Sequence, residues 1–279
     1  MKIVKTIKLF IGGKFVRSER EWTFLVNKHK SNEQYARLCQ ASRKDFRNAV
    51  TAARNGYQSW SSKTAFNRAQ ILYRCAEMTE GKREEFLALF KETLGLDQKK
   101  ANAMVDKAVD TFVYYAGFCD KYQQVLGSVN PINGPYHNFT TPDAVGVVAL
   151  IDSDKFCFGD LVDRICSVLV GGNSVVALLS SGCPAVIAPL AEVVATSDVP
   201  AGTVNLLCGK LDELYEVIGG HHEVRSVSYQ NENEEFLHRI KELGVENLKR
   251  IVPPEDSEPS LKKISNFIEY KSVWHPIGH

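Results

Sequence analysis

Cysteine and histidine are the residue types of this sequence that could supply a nucleophile, a general base or metal ligands, and it has seven of each. Cys157 stands two residues after Lys155, whose charge could lower the pKa of a thiol. A nucleophilic thiol also needs a positioned base and donors for the oxyanion, and no sequence pattern supplies either. His221 and His222 are adjacent, and neighbours on an extended segment point in opposite directions. The residues therefore predict no catalytic residue and no metal site.

The segment that would position Cys157 begins with an apolar, β-branched run at 145–151, which is typical of a strand buried on both faces. Similar runs at 173–179, 203–207, 224–229 and 248–252 alternate with helical patterns near 159–170, 184–196, 210–219 and 231–243. This alternation predicts an α/β fold, with a Rossmann-like parallel sheet and flanking helices. In such sheets ligands bind beyond the carboxyl ends of the strands. The loop Asp152-Ser153-Asp154-Lys155 lies there, without a glycine fingerprint.

The remaining segments predict an N-terminal helical region and a small β element. Residues 8–16 read as a hairpin around Gly-Gly. Residues 33–126 have helical patterns, with Ser42 and Thr64 as N-caps. Residues 127–142, rich in Pro, Gly and Asn, predict an excursion or a second hairpin, and 267–274 a last strand after a proline-rich linker.

Composition and charge narrow the function classes. The longest apolar runs are shorter than a membrane span, and the widely spaced cysteines suit reduced thiols, so we expect a cytoplasmic protein without a membrane span. Residues 1–64 hold 14 Lys and Arg against 4 Asp and Glu, a net charge of +10, while the whole chain carries +1. This segment, the basic front (residues 1–64), could bind an anionic polymer or membrane surface. No nucleic-acid motif accompanies it, so we expect these charges to be solvated or to meet acidic surface elsewhere.

Several segments in order resemble the aldehyde dehydrogenase superfamily. They are KLFIGGKFV, NAVTAARNGYQSWSS, PDAVGVVALI, GGNSVVALL, DVPAGTVNLLCG, NLKRIV and the closing IEYKSVW. The resemblance implies an NAD-binding-like domain over 1–127 and 143–253. It also implies that 128–142 and 254–279 form the family's oligomerisation hairpin and C-terminal strand.

The chain departs from the family at the positions that the resemblance assigns to cofactor and oxyanion. Lys155 stands at the asparagine that stabilises the oxyanion. Leu178 and Ser181 replace the lysine and glutamate that hold the adenosine ribose, and Asn231 and Glu232 replace the glycine turn that admits the pyrophosphate. An aliphatic side chain cannot pair with ribose hydroxyls, and Glu232 repels a phosphate. We therefore predict a degenerate cleft with no cofactor and no cofactor-binding residues.

The catalytic half of the family pattern is also missing. In the family a strand like NLKRIV precedes a Glu-Leu-Gly-Gly segment with the general base, and the nucleophilic cysteine follows. Residues 253–279 contain neither, and a separate domain needs at least about 50 residues. The chain resembles most the second, shortened domain of the family-16 aldehyde dehydrogenases, so we predict a pseudoenzyme, not an enzyme, with the catalytic domain absent.

As such a pseudoenzyme domain, the chain is expected to act in protein–protein assembly or scaffolding. The expected partner is the catalytic aldehyde dehydrogenase domain of the same longer protein or its dimer mate, contacted through 267–274, with self-association as another outcome. Two other functions stay open at this point: an NAD-dependent aldehyde dehydrogenase fragment that retains cofactor binding, and anionic-polymer binding through the basic front.

Overall fold

A computed structural model describes residues 4–153, 155–179, 182–253 and 258–278. Within these ranges the strands are β1 (Lys5–Ile7), β2 (Leu9–Ile11), β3 (Lys14–Val16), β4 (Thr23–Asn27), β5 (Gln34–Cys39), β6 (Ser128–Asn130), β7 (Tyr136–Ala144), β8 (Val147–Ile151), β9 (Ser174–Leu179), β10 (Val204–Cys208), β11 (Val224–Tyr229), β12 (Arg250–Val252) and β13 (Ile268–Pro276). The α-helices are α1 (Arg43–Ser61), α2 (Ala65–Gly81), α3 (Arg83–Leu94), α4 (Gln98–Phe118), α5 (Tyr122–Leu126), α6 (Phe158–Val170), α7 (Ile187–Ala195), α8 (Leu211–Gly220), α9 (Glu234–Gly244) and α10 (Leu261–Ser265). Two short 3-10 turns, Pro184–Val186 and Val245–Asn247, adjoin α7 and α9.

A seven-stranded sheet with the order β12-β11-β8-β9-β10-β2-β3 forms the centre of the fold. The five strands from β12 to β10 run parallel, and β2 joins β10 in the antiparallel sense. Every residue of β8, β9 and β10 is buried, as the continuous apolar runs required. The predicted α/β class with a Rossmann-like sheet is confirmed.

The N-terminal elements agree only in part with those predicted from the sequence. The hairpin forms as β2 and β3, and both predicted caps are present, because the hydroxyls of Ser42 and Thr64 accept the N–H groups of Asp45 and Asn67 at 3.2 Å. The helical prediction was wrong over Gln34–Cys39, which is strand β5 between β1 and β4. Burial alternates only at its centre, where Ala36 and Leu38 are buried and Arg37 is exposed, so the strand signal is weak beside the surrounding helical patterns.

Helices cover the faces of the central sheet, and one buried tryptophan ties two of them together. Trp60, at the end of α1, is fully buried, and its Nε1 donates to the carbonyl of Leu169 in α6 at 2.7 Å. Helix α4 packs between α2 and α6, so the helical region and the sheet share one core. Among the described residues, no helix combines the length and apolarity needed to cross a bilayer.

The C-terminal strand pairs within its own chain. β13 is antiparallel to β7 along its whole length, from Ile268 opposite Ala144 to Pro276 opposite Tyr136, in a sheet of order β13-β7-β6. The strand that the sequence analysis expects to contact a partner therefore uses one of its two edges within its own chain. The physical reason is that the hairpin is tethered nearby in the same chain, so its effective concentration exceeds that of any partner. Of the predicted linker, residues 254–257 lie outside the described part of the chain.

Acidic residues outside the basic front neutralise part of it. Arg43 pairs with Glu216 at 2.8 Å, and Arg54 lies 3.6 Å from Glu223. Both carboxylates come from the second half of the chain, as the charge balance of the sequence led us to expect.

Candidate ligand cleft at the carboxyl ends of β8 and β11

The candidate site lies where the strand order reverses. From β8 the chain continues to β9 and β10 on one side and later returns to β11 on the other. In open α/β sheets the crevice beyond the carboxyl ends of two such strands is the usual ligand site. A cavity of about 230 Å³ occupies this position. Its walls come from the loops after β8 and β11, from α6 and from the tail: Asp152, Ser153, Lys155, Cys157, Asp160, Asp163, Arg164, Ser167, Ser228, Gln230, Lys263 and Phe267.

A buried ion pair fixes the loop after β8. The carboxylate of Asp152 accepts a short hydrogen bond from Arg164, whose other terminal nitrogen donates to the carbonyl of Ile151 at 2.9 Å. Burial raises the pKa of Asp152, and the charge of Arg164 opposes that rise. Because Arg164 lies in α6, the pair locks the end of β8 against this helix.

A second buried pair forms the wall next to the tail. Asp163 accepts the hydroxyl of Tyr115 at 2.7 Å and also pairs with Lys263 of α10. Burial raises the pKa of the Asp163 carboxyl, while both donors lower it. Sequence reasoning missed Asp163, Arg164 and Lys263. The available signal was the pair Asp163-Arg164 inside the apolar helix α6, where buried charges need partners.

A third ion pair bridges the mouth of the cleft. The ammonium of Lys155 lies 2.6 Å from the carboxylate of Glu232, with 84% and 63% of the two side chains exposed. The pair joins the loop after β8 to the loop after β11, and the two charges neutralise each other. Exposed pairs of this kind contribute at most about 1 kcal/mol to stability.

Cys157 is not activated by this arrangement. Burial raises the pKa of its thiol above the ordinary value, whereas a nucleophilic thiolate requires a lowered pKa. The idea that Lys155 activates this thiol was wrong, because the ammonium pairs with Glu232. Among the residues that the structure describes, no histidine lines this cavity. Among the described residues, no three or more His, Cys, Asp or Glu side chains converge as metal ligands.

The comparisons with known proteins identify the family. A sequence profile described as "Aldehyde dehydrogenase family" matches residues 15–252. This chain belongs to the aldehyde dehydrogenase family. The resemblance seen in the sequence is thereby confirmed, and its closer likeness to the rear domain of the family-16 enzymes stays a prediction.

Individual relatives agree with this assignment. The cytosolic 10-formyltetrahydrofolate dehydrogenase of Homo sapiens is 28% identical over 251 residues, covering 88% of this chain and 28% of that protein. A putative aldehyde dehydrogenase of Bacillus subtilis is also 28% identical, covering 88% of this chain and 50% of the relative.

Solved structures share the fold. The NAD+ complex of an aldehyde dehydrogenase from Bacillus cereus has a TM-score of 0.81 and 27% identity, covering 89% of this chain and 50% of that one. A putative aldehyde dehydrogenase from Burkholderia cenocepacia has a TM-score of 0.83 and 27% identity, covering 88% and 50%. The chain therefore spans half or less of the length of the relatives that it matches.

One of the two positions that the sequence resemblance assigns to the ribose is a buried leucine. Leu178 is 1% exposed and sits inside the sheet, opposite Ile151 on one side and Leu207 on the other. It offers no donor to a ribose hydroxyl. Ser181, the other ribose position, lies outside the described residues.

The pyrophosphate position of the aldehyde dehydrogenase pattern is acidic. The structure corrects the helix start, because α9 begins at Glu234 with Asn233 as its N-cap, two residues beyond Glu232. The side chain of Asn231 accepts the N–H of Asn233 at 3.0 Å, so both residues belong to a closed turn. Glu232, Glu234 and Glu235 then surround the helix N-terminus. These carboxylates interact favourably with the helix dipole themselves and would repel a phosphate placed at this helix end.

Proposed function

We propose that this chain is a non-catalytic aldehyde dehydrogenase-like domain that acts in protein–protein assembly. It offers the outer edge of β13 to the catalytic aldehyde dehydrogenase domain of the same longer protein or to that protein's dimer mate, with a second copy of the chain as the other partner. The observation that carries the proposal is a long, exposed and unpaired strand edge on a rigid support.

The edge has the properties of a docking strand. β13 is nine residues long and bonds to β7 on one side; on the other side it has no strand partner within the described ranges. Unpaired N–H and C=O groups of an edge template the addition of another strand. Three large apolar side chains of this strand are exposed, Tyr270, Val273 and Trp274, of which Trp274 is 61% exposed. Tyrosine and tryptophan are enriched at protein interfaces.

Several contacts hold this edge in place before any partner arrives. Lys271 pairs with Asp143 across the β13–β7 ladder. The amide of Asn173 donates to the carbonyl of Phe267 at 2.9 Å, and Arg250 donates to the carbonyl of Ile268 at 2.8 Å. A pre-ordered strand loses little conformational entropy on docking, which favours affinity.

The cleft supports a role without catalysis. Its thiol has a raised pKa, its aligned lysine is engaged by Glu232, and its helix N-terminus carries carboxylates. Covalent catalysis needs an activated nucleophile, and the raised pKa of the Cys157 thiol opposes that role.

We expect Val273→Lys to weaken assembly at least about tenfold, because a lysine on an edge strand opposes strand addition. Val245→Lys is the matched control, since Val245 is 68% exposed and lies outside the β13 sheet. Sedimentation velocity of the chain and of the natural full-length polypeptide measures the effect. Equal assembly of both variants, or a wild type that stays monomeric and unattached to a catalytic domain, contradicts the proposal.

Retained NAD binding is the competing function, and the overlap with the Bacillus cereus NAD+ complex makes it worth testing. We expect calorimetry to detect no saturable binding of NAD+ or NADH up to about 1 mM, which corresponds to less than about 4 kcal/mol of binding free energy. The Bacillus cereus enzyme is the positive control. Saturable binding to this chain, lost in Lys155→Glu and retained in Glu232→Arg, would restore the dehydrogenase-fragment hypothesis.

A further inference from the structure

A groove of about 440 Å³ lies near the amino end of β11, whereas the candidate ligand cleft described above lies at the carboxyl end of this strand. The groove is separate from the cleft, and the assembly role proposed above does not use it. Helix α1 forms one wall, and the end of α8 with the loop before β11 forms the other. The lining side chains are mainly cationic or titratable: Arg43, Arg47, Glu216, Val217, Gly220, His221 and His222.

The two arginines of α1 differ in their pairing. Arg43 donates to Glu216 at 2.8 Å and to the carbonyl of Glu213 at 3.2 Å, so acidic α8 engages it. Arg47 lies one turn further along α1 and has no carboxylate or carbonyl partner for its guanidinium in the described chain. An unpaired guanidinium facing a groove is a planar fork of donors, which matches phosphate oxygens.

His221 supplies a second directed donor. Its Nδ1 accepts the N–H of Glu223 at 3.3 Å, so the neutral ring carries its proton on Nε2. The ring meets the edge of Phe46, with 6.4 Å between ring centroids, and this contact helps to orient it. A neutral His221 therefore offers an Nε2–H donor at the groove wall.

The local electrostatics show an excess of positive potential. Burial lowers the pKa of His221, and the charges of Lys249, Arg47 and His222 lower it further, while Glu223 opposes them. Lys249 is buried beneath the loop, where it donates to the carbonyls of His221 and Val224, and its own pKa is lowered to about 8. Arg47 and the buried Lys249 would attract an anion in the groove, and Glu216, the one carboxylate in the described lining, is already paired with Arg43.

We propose that this groove binds a phosphate monoester or free phosphate, with Arg47 as the guanidinium fork and His221 as the Nε2–H donor. Arg43, which is paired with Glu216, and His222 also line the groove. Arg43 and Arg47 of the basic front would then belong to a defined binding site. The adjacent histidines would act as anion ligands and not as metal ligands. The volume leaves room for a small group esterified to the phosphate.

The test follows the imidazole of His221 by NMR while inorganic phosphate or glycerol 3-phosphate is added. We expect saturable shifts, and a His221 pKa that rises on saturation, because the bound anion favours the imidazolium. Sulfate keeps its charge between about pH 5.5 and 8, so its affinity should increase as the pH falls through the histidine pKa. A merely structural histidine would show neither response.

Substitution of two exposed arginines, one in the groove and one as a control, tests the site. Arg47→Gln should weaken phosphate binding at least tenfold, whereas Arg74→Gln, which removes an exposed cation paired with Glu77 on α2, should leave it unchanged. Thermal unfolding of both variants checks that the fold is intact. Three results overturn the proposal: chloride at equal ionic strength reproduces the shifts, Arg47→Gln binds phosphate as well as wild type, or only a DNA oligomer and neither phosphate compound shifts His221.

Discussion

Asp163→Leu is expected to lower the free energy of unfolding by about 3–5 kcal/mol, because it removes one partner of the buried ion pair between Asp163 and Lys263. The side chains of Asp163 and Lys263 are 2% and 5% exposed, so water cannot replace the lost partner. The substitution also removes the acceptor of the Tyr115 hydroxyl, which is fully buried. Urea unfolding followed by circular dichroism measures the loss.

A double substitution separates the pair from the packing around it. Asp163→Leu with Lys263→Met removes both charges, so it should recover most of the stability that the single change loses, as expected when an apolar pair replaces a buried ion pair. Glu77→Gln breaks the exposed pair with Arg74 and should cost less than about 1 kcal/mol. If Asp163→Leu costs no more than Glu77→Gln, the pair does not anchor the tail to α6.

The pH dependence of Lys263→Met has a definite sign. Burial already raises the pKa of Asp163, and removing Lys263 takes away a cation that lowers it. The native variant then holds a proton that the unfolded chain releases near its ordinary pKa of about 3.9. Its stability relative to wild type should therefore fall as the pH rises from that value, and should be best preserved in acid. A difference that is independent of pH would mean that the carboxyl is not neutralised.

Gly56→Ala is expected to destabilise the chain by roughly 3 kcal/mol, because the added methyl group would overlap backbone. A Cβ at Gly56 would lie 2.2 Å from the carbonyl carbon of Gly202 and from the nitrogen of Thr203. Backbone cannot turn aside as a flexible side chain does, so α1 would have to move away from the turn before β10. That movement would also disturb Trp60, four residues further along α1.

Gly81→Ala is the matched control for this prediction. Gly81 is the last residue of α2, and a Cβ there would meet nothing within 4 Å. The same substitution should therefore stabilise the chain by about 0.5–1 kcal/mol, because alanine loses less backbone entropy than glycine. Chemical unfolding of the two variants side by side is the measurement. Equal effects would show that the close approach at Gly56 is relaxed at little cost.

The sequence by itself determined the class of the central fold and the family resemblance. The strands β8 to β12 coincide with apolar runs, and the helices between them coincide with a 3.6-residue repeat of apolar residues. Both patterns can be read from neighbouring residues alone. Local context likewise placed the caps at Ser42 and Thr64. The sequence also shows Leu178 and Glu232 at two positions that the resemblance assigns to the cofactor, where the family has other residue types.

Only the tertiary structure decided which distant groups meet. Strand β5 was hidden among helical patterns, because its stability comes from pairing with β1 and β4 and not from its own propensity. The pairing of β13 with β7 joins segments more than a hundred residues apart, and no local pattern records it. No local pattern records the pairing of Lys155 with Glu232 or of Asp163 with Lys263 either.

The candidate sites show the same division. The loop after β8 was predicted as the ligand site, since parallel strands end at a common edge, but three of the buried charges that line it, Asp163, Arg164 and Lys263, come from α6 and α10. The groove beside His221 depends on Arg47, Phe46 and Lys249, which reach it from α1 and from the segment before β12. Periodicity fixes which face of an element is buried, whereas the chemistry of a site depends on side chains that folding brings together from far along the chain.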